Sequence, residues 1–457
     1  MARVRVVETR FARGATVAAP ADRASMQRPN ASRGQSRRRH RPAPSALAFL
    51  WLAFAAAIAL AWPRCGRAES LSNVIPNLFG GSLGTTISQN GVSRALQEPE
   101  LARRFRNLPA ALAAARSQAP VPSASGAFRF AWDPELDTFV RSEQSLGPIL
   151  AERAATLGRG VLTVGFSYSY SNFDTLEGDS LADLHFQQPA LSKEFLADLP
   201  AGDQMAFGDD ILETRLNMSF RLNLFYVSAA YGIGDNIDVS LAIAINEIHM
   251  RGRAEALILD PLGNGSTVFG ADQPGVVRNG TGPICSRAFR CAVDQFDKSA
   301  SGTGDIYLRG KWNFANTRWV DLATSAVLTI PTGNGDDLLG FNDPTFTPWL
   351  IASKTFGPIS PHFNLGYAFR SGKDVSQLQW ILGADARATN WLTVGADFLG
   401  YHDDKRDRSN DDVIQSAIGL KLNPFGQFVI GAGLQFPLNR DGLRADIVYS
   451  GQAEYTF

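Results

Sequence analysis

Apolar and polar residues alternate along most of the chain beyond residue 160. In the stretch 161–171, leucine, valine, phenylalanine and tyrosine at even positions alternate with threonine, glycine and serine at odd positions. The final stretch, 446–457, repeats this pattern and ends on Phe457. Successive side chains of a strand point to opposite faces, so the pattern predicts strands with one apolar and one polar face. Such strands are typical of a barrel that spans a membrane, and also of a half-solvated sheet in a soluble protein.

About twelve strands of this kind follow one another. They are predicted near 161–171, 212–224, 237–245, 304–314, 319–330, 346–356, 362–370, 377–387, 391–401, 412–422, 427–437 and 445–457. A tilted strand needs roughly nine to eleven residues to span a membrane. A sheet in lipid must also close on itself, because every backbone polar group needs a hydrogen bond. We therefore predict an all-β fold, a transmembrane antiparallel β-barrel of about 12 strands, with 14 as the alternative.

The connections between these strands alternate in length and predict an orientation. Short turns are expected at 232–236, 315–318, 357–360, 388–390 and 423–426, and mostly longer polar loops lie between them. Aromatic residues flank the short turns, as an interfacial girdle would: Tyr231, Trp312, Phe314, Trp319, Phe356, Trp391, Phe425 and Phe428. A second girdle is predicted from Tyr170, Phe369, Phe398, Tyr401 and Phe436. This arrangement predicts both barrel ends in the periplasm, with the barrel in the outer membrane of a Gram-negative bacterium.

Residues 1–68 have the features of a secretory signal peptide. They hold 13 arginines, no lysine, an apolar stretch at 46–61, and the small residues Gly66 and Ala68 where a signal peptidase cuts. The apolar stretch, about 16 residues, is shorter than the roughly 20 that a membrane helix needs, which favours a signal over an anchor. The Arg-rich part before it is long, and Met26 is an alternative start.

The region 69–158 lacks the barrel pattern. It contains Pro120 and Pro122 among small residues, a predicted helix near 98–116, and an alternating piece at 128–140. These features predict a partly helical N-terminal extension, a plug that enters the barrel, or a further hairpin that would make 14 strands. An extension or plug is favoured. The predicted domains are therefore 1–68, 69–158 and 159–457.

Charge narrows the choice of partners once the signal is removed. The full chain has 44 basic and 44 acidic side chains, and without residues 1–68 it has 31 basic and 42 acidic ones. A net charge of −11 makes nucleic acid an unsuitable partner. The expected partners are outer-membrane lipid and lipopolysaccharide, the barrel-assembly machinery and small hydrophobic solutes.

Three sequence motifs resemble one family of outer-membrane barrels. They are GTGDIYLRGKWNF at 302–314, LTIPTG at 328–333 and NLGY at 364–367. In this order they resemble the meta-pathway phenol-degradation barrel family, with a looser likeness to long-chain fatty acid channel proteins. The resemblance covers roughly 160–457. It implies a passive channel for small hydrophobic or aromatic compounds and supplies no binding residues.

Charged residues on the predicted inner faces are the candidates for lining the pore. They are Glu213, Arg215, Arg221, Asp305, Arg309, Lys311, Asp321, Arg370, Asp385, Asp397, Lys421, Asp446 and Glu454. Opposed charges can narrow a pore and orient a dipolar solute. They can equally pair with one another and stabilise the wall. A barrel of about twelve strands has a narrow lumen that a short insert could block, so a structural or surface-interaction barrel is the alternative function.

Hydrophobic cargo would need an apolar cleft rather than a charged wall. The long loops carry apolar residues that we expect to cap the pore: Leu176, Leu181, Phe186, Phe195, Leu257, Ile258 and Phe269.

An outer-membrane lipid-modifying enzyme is the third hypothesis, and the sequence supports it least. His362 is the one histidine well inside a predicted strand, and the sequence indicates no acidic or amide partner to orient it. Acidic pairs at 336–337, 403–404 and 411–412 match no calcium-loop spacing. We therefore predict no enzyme activity, no cofactor and no metal site.

Two smaller sites complete the predictions. Cys285 and Cys291 lie in the longest predicted loop, and in an oxidising compartment two close cysteines are expected to form a disulfide. Tyr455 and the terminal Phe457 are predicted to form the signal that the assembly machinery reads.

Overall fold

The computed structural model describes residues 70–75, 77–78, 86–89, 92–95, 108–116, 130–133, 138–141, 145–263, 291–370, 376–404 and 412–457. Twelve antiparallel strands form the barrel. We name them in chain order β1 (Leu162–Leu176), β2 (Ile211–Gly232), β3 (Ile237–Leu259), β4 (Cys291–Asn316), β5 (Asp321–Ile330), β6 (Thr345–Ser353), β7 (Ile359–Ala368), β8 (Gln377–Arg387), β9 (Leu392–Asp403), β10 (Asp412–Phe425), β11 (Phe428–Pro437) and β12 (Leu443–Thr456).

The sheet closes between its first and last strands. β1 pairs with β2 on one side and with β12 on the other, so that Tyr170 lies opposite Tyr449. The N–H of Phe457 donates to the carbonyl of Leu162 at 2.7 Å. Closure leaves no free edge along the spanning strands, which a sheet in lipid requires. The predicted barrel of about twelve strands is confirmed, and two short strands, Asp179–Ser180 and Leu184–Pro189, extend the same sheet above β1 and β2.

The outer face of the barrel carries an apolar belt near the short turns. Large side chains there are exposed, among them Trp312, Trp319, Trp391, Phe425 and Phe457. Exposed apolar surface of this extent is stable in lipid and not in water. Within the second predicted girdle, Phe398 is exposed but Tyr401 is buried against Val413. Positions 398 and 401 differ by an odd number, so their side chains lie on opposite faces of β9.

β2, β3 and β4 continue far beyond the apolar belt. The pairing of β2 with β3 is continuous from Gly232 opposite Asp238 to Ile211 opposite Leu259. Residues 247–259 of β3 lie above the belt and, at about 3.3 Å per residue, add roughly 40 Å of strand. The long loop that the sequence predicts between the strands at 237–245 and 304–314 is therefore wrong at both of its ends, because β3 continues to Leu259 and β4 begins at Cys291.

The tall part of this wall has an apolar inner face. Leu212, Leu216, Phe220 and Leu224 are buried, and residues between them, such as Arg221, are exposed. The N-terminal helix α1 (Leu108–Arg116) and a 3₁₀ turn at Leu71–Asn73 contribute to the same buried cluster. The apolar-outside rule for a spanning strand thus reverses above the belt, where water replaces lipid on the outside.

Other short elements lie within the described residues. Two small hairpins pair Thr86–Gln89 with Val92–Ala95 and Phe130–Asp133 with Thr138–Arg141, and two helices span Lys193–Ala197 and Ala201–Phe207. None of the helices in the described part of the chain is both long and apolar enough to cross a membrane.

Phe457 provides a test of the predicted assembly signal. Its ring packs edge-on against Tyr455 at a centroid distance of 4.7 Å, and its backbone completes the pairing with β1. Phe457→Ala keeps that backbone bond and removes the terminal ring. We expect at least a several-fold lower yield of folded barrel, measured as the heat-modifiable band in outer-membrane fractions. The exposed Phe425→Ala is the matched control, and an equal yield for both variants would contradict a specific signal.

Candidate functional site: a chain segment held inside the barrel

Residues 145–157, which we call the lumen segment, lie inside the barrel before β1 begins. They contact inward-facing side chains of strands from β3 round to β11, all near the short turns. Leu146, Ala151, Ala154 and Leu157 are buried. The segment therefore follows the inner wall at one level of the lumen.

The first half of the lumen segment is held by β8 and β9. The N–H of Leu146 donates to Oγ1 of Thr393 at 2.9 Å, and the N–H of Leu150 donates to Oδ2 of Asp397 at 3.0 Å. The hydroxyl of Ser145 donates to the Asp385 carboxylate. Wall side chains thus provide acceptors for backbone groups that have no partner within a helix or sheet.

The second half is held by β3, β4, β6 and β7. The amide of Asn364 binds both backbone groups of Glu152, accepting from its N–H at 2.7 Å and donating to its carbonyl at 3.0 Å. Ala154 donates its N–H to Oγ of Ser353 at 2.9 Å and accepts at 3.0 Å from Asn313. Side-chain amides and hydroxyls of the wall therefore hold the backbone of the lumen segment, and the backbone of the wall strands takes no part in these contacts.

Lys311 on β4 anchors the end of the segment. Its side chain is completely buried, and Nζ lies 2.7 Å from the carbonyl oxygen of Ala155 and 3.7 Å from Oδ2 of Asp238. Asp238 in turn accepts the N–H of Leu157 at 3.1 Å. A buried charge is tolerated only when it is paired and hydrogen-bonded, and this arrangement satisfies both requirements.

A second ion pair ties the segment to the same strand. Arg309 donates to the carboxylate of Glu152, and both side chains are almost buried. The charges that the sequence placed on the inner face of β4 therefore face a partner in the lumen segment.

Three glycines make room for Ile149. A Cβ added at Gly395, Gly419 or Gly433 would lie 2.9, 2.9 and 3.1 Å from its side chain. Three adjacent strands, β9, β10 and β11, thus present bare backbone where Ile149 packs. The sequence prediction missed this contact, although glycine within successive strands is a known signal of close approach.

Nine of the thirteen predicted pore-lining residues lie on the inward face and are buried or half-buried: Asp305, Arg309, Lys311, Asp321, Arg370, Asp385, Asp397, Lys421 and Glu454. Several have partners other than the lumen segment. Asp321 pairs with Lys354 at 2.8 Å, and Lys421 lies 3.9 Å from Glu454. Arg370 lies over the ring of Phe341, 5.0 Å from its centroid.

The other four predicted residues lie on the outer face, and this corrects the prediction. Glu213, Arg215 and Arg221 belong to the tall part of β2, where the leucines point inward. Glu213 nevertheless is buried, because Gln187 and Arg215 both donate to it at 2.9 Å. Asp446 is exposed because the register between β12 and β1 shifts between Ala445 and Val448, which reverses the side-chain alternation.

His362 has acidic partners that the sequence did not indicate. Its Nε2 lies 2.6 Å from Oδ1 of Asp397, and its Nδ1 lies 3.7 Å from Oδ1 of Asp385. Ser145 is close by, but its hydroxyl donates to Asp385 rather than to the imidazole. A serine nucleophile needs the imidazole as its base, so these four residues do not form that relay.

The residues predicted to cap the pore are mostly buried in the structure. Leu176, Leu181, Phe186 and Ile258 belong to the apolar cluster above the belt, and Leu257 packs against Cys291. The Phe195 side chain and all of Phe269 lie outside the described residues.

A small cavity lies between α1 and the wall, above the lumen segment. Its polar lining includes Arg116, Gln415 and Gln435, and its apolar lining includes Phe173 and Leu222. Arg116 is buried, and loss of solvent lowers its pKa from the ordinary value. This cavity was not predicted, because no periodicity in the sequence places α1 inside a barrel.

Cys291 is disulfide-bonded in the structure. Its predicted partner, Cys285, lies outside the described residues, so the pairing stays a prediction. We expect mass spectrometry of the mature protein to show two alkylated cysteines after reduction and none before it. Alkylation without reduction would contradict the pairing. Among the described residues, no group of three or more His, Cys, Asp or Glu side chains could hold a metal ion.

Comparison with known proteins identifies similar barrels but no family. No family model matches the sequence, and no curated protein matches it. Among solved structures, the chain is similar to an outer membrane channel from Pseudomonas putida F1, at 12% identity and a TM-score of 0.39, covering 66% of this chain and 98% of that one. It is also similar to the toluene transporter TbuX of Ralstonia pickettii, at 11% identity and a TM-score of 0.33, with coverage of 66% and 90%. A third is a FadL homologue of Pseudomonas aeruginosa, at 11% identity and a TM-score of 0.30, with coverage of 74% and 98%. Similarity at this level transfers no ligand and no binding residue.

Proposed function

We propose that this chain is a passive outer-membrane channel for uptake of small hydrophobic compounds, including aromatic ones, and that the lumen segment closes it. In this proposal residues 1–68 are the signal peptide, 69–158 an N-terminal domain that ends in the plug, and 159–457 the barrel. Lipid and lipopolysaccharide surround the barrel, and the assembly machinery inserts it. No catalytic step, cofactor or nucleic acid is part of the proposal.

One observation carries the proposal: the lumen segment is attached to the wall without being part of the sheet. Within the described part of the chain, no backbone–backbone hydrogen bond joins residues 145–157 to a barrel strand. The contacts described between the segment and the wall are side-chain hydrogen bonds, ion pairs and apolar contacts. The segment can therefore shift while the hydrogen bonds that close the barrel remain intact, which is what a removable plug requires.

The apolar interior above the belt supports a hydrophobic cargo. Leu212, Phe220, Ile248 and Met250 point inward and are fully buried in the cluster that α1 shares, so a solute would meet this apolar surface once α1 moves away from it. Transfer from water to such a surface is favourable by roughly 25 cal/mol per Å². A channel with charged side chains exposed at its entrance would favour ions and sugars instead.

A structural barrel with a permanently blocked lumen is the second candidate, and the density of contacts around residues 145–157 favours it. The two candidates differ in whether the segment must move. A channel loses uptake when the segment is fixed to the wall, whereas a structural barrel is unaffected.

A reversible crosslink tests this difference. Cγ1 of Ile149 lies 2.9 Å from the position of a Cβ at Gly395, so Ile149→Cys with Gly395→Cys places two thiols within disulfide range. We expect cells carrying the oxidised double variant to take up labelled phenol no faster than cells without the protein. Reductant should restore uptake at least several-fold.

Three controls complete the experiment. Wild-type protein with and without reductant accounts for the bond at Cys291, and each single cysteine variant accounts for packing changes. Equal uptake in the oxidised and reduced double variant would refute the plug. Wild-type uptake no faster than in cells without the protein would refute the channel.

A further inference from the structure

We infer that Trp349 provides a stacking surface for the aromatic ring of a solute inside the barrel, beside the lumen segment. This inference rests on the proposed function, because a channel is what would bring a solute to Trp349. It deepens that function by assigning one residue that makes the channel prefer an aromatic solute over a saturated one of the same size.

The first support is the direction of the Trp349 side chain. Phe346 and Leu350 are exposed on the outer face of β6, so Trp349, next to Leu350, lies on the inner face. The other tryptophans in the described part of the chain lie on the outer face or in the short turns. Tryptophan at the boundary of lipid and water anchors a barrel, and an inward tryptophan cannot do so.

The second support is the way the indole ring lies against the wall. Trp349 is directly opposite Gly366 of β7. A Cβ added at Gly366 would lie 2.5, 2.7 and 2.8 Å from Cδ2, Cε3 and Cε2 of the indole. Three bonded neighbours at nearly equal distances show that a face of the ring, and not its edge, covers the bare backbone of Gly366. The opposite face is directed into the lumen, where a second ring can stack on it.

The third support is the apolar surface beside the ring. Trp349 packs against a buried cluster of Ala154, Ala323 and Ile351, while Trp349 itself is only half-buried. Ala154 belongs to the lumen segment and the other two residues to the wall, so the indole borders the segment that moves in the proposed channel. Departure of Ala154 would uncover more apolar surface next to the indole, and burial of a solute ring there is favourable.

Phenol and cyclohexanol form the test pair, since each is a six-membered ring with one hydroxyl group and only phenol is aromatic. Uptake of each labelled compound is measured below saturation in cells with the protein, and the rate in cells without it is subtracted. We expect phenol to enter about threefold faster, which lies within the range that one aromatic pair contributes. Trp349→Leu should make the two rates equal, and Trp349→Phe should keep part of the preference.

Trp380 provides the matched control. It lies directly opposite Gly400, and a Cβ at Gly400 would lie 2.8 and 3.0 Å from Cζ2 and Cε2 of its indole. The same tryptophan–glycine pairing is thus present on the outer face of the barrel, so Trp380→Leu should leave the ratio of the two rates unchanged. The ratio compares two solutes in the same cells, and it is therefore independent of how much barrel each variant inserts.

Several outcomes would overturn the inference. Equal uptake of phenol and cyclohexanol by the wild type would do so without any variant, as would a folded Trp349→Leu that keeps the full preference or a Trp380→Leu that loses it. Heat-modifiable mobility in gels reports folding of each variant. If both compounds enter equally, and faster than in cells without the protein, the stacking surface is wrong and the channel stands. If neither enters faster than in those cells, the channel is wrong and the stacking surface with it.

Discussion

Deletion of residues 70–157 is expected to raise single-channel conductance by roughly tenfold, because it removes everything described inside the barrel before β1. A barrel of eight strands is filled by its own side chains and one of sixteen holds a water channel, so twelve strands should leave a narrow pore. In the intact chain the lumen segment occupies that space near the short turns. Planar bilayer recordings of the two proteins measure the difference.

A shorter deletion separates the lumen segment from the elements that precede it. Removing 70–144 eliminates α1 and the turn at Leu71–Asn73 but retains residues 145–157. We expect its conductance to stay within about twofold of the intact chain, since the segment keeps its own contacts with the wall. High conductance in both deletions would locate the obstruction above the belt instead. Gel mobility before and after heating establishes that each barrel has formed.

Lys311→Met is expected to lower the free energy of unfolding by about 3 kcal/mol, the largest effect of a single substitution that we predict. The substitution removes the positive charge 3.7 Å from the buried Asp238 carboxylate and the donor to the carbonyl oxygen of Ala155. Methionine has a similar length, so the loss reflects charge rather than volume. Urea unfolding in detergent micelles, followed by tryptophan fluorescence, measures it.

Two controls identify the source of this loss. Adding Asp238→Asn should recover roughly half of the lost free energy, because the second substitution also removes the buried negative charge that faced Lys311. Lys354→Met removes a lysine from a more exposed pair with Asp321 and should cost no more than about 1 kcal/mol. Similar losses for Lys311→Met and Lys354→Met would contradict the special role of burial.

Charged side chains of the barrel wall bind the lumen segment, and neither sequence-based interpretation included this role. The sequence suggested that inward charges either shape a pore or pair with each other. The structure shows pairing within the wall for Lys421 with Glu454, but Arg309 and Lys311 also hold the lumen segment. When the lumen segment leaves, the charges that were paired with it would become free to act on solutes. The pairing interpretation then describes the closed state of the proposed channel, and the pore interpretation describes its open state.

The sequence alone determined the barrel. Period-two alternation, five short turns and aromatic residues beside them depend on local spacing, and spacing fixes which face of a strand meets lipid. The same rule gave the correct inward face for β4, β8 and β9, and with it Lys311, Asp385 and Asp397.

The rule failed where the surroundings differ from those of a spanning strand. Above the belt the outside of β2 is water, so its leucines turn inward and Arg215 and Arg221 turn outward. At β12 a register shift displaces Asp446. Alternation reports that two faces differ, but it does not report which medium each face meets.

Only the tertiary structure decided where the N-terminal region goes. Nothing in residues 145–157 indicates that Asn364, Ser353 and Asp238 will bind their backbone, because those partners are at least 81 positions away along the chain. The acidic partners of His362 and the burial of Arg116 likewise depend on contacts between distant parts of the chain. Periodicity encodes the environment of an element, whereas contacts between distant elements depend on how the closed barrel brings them together, and that information is not local.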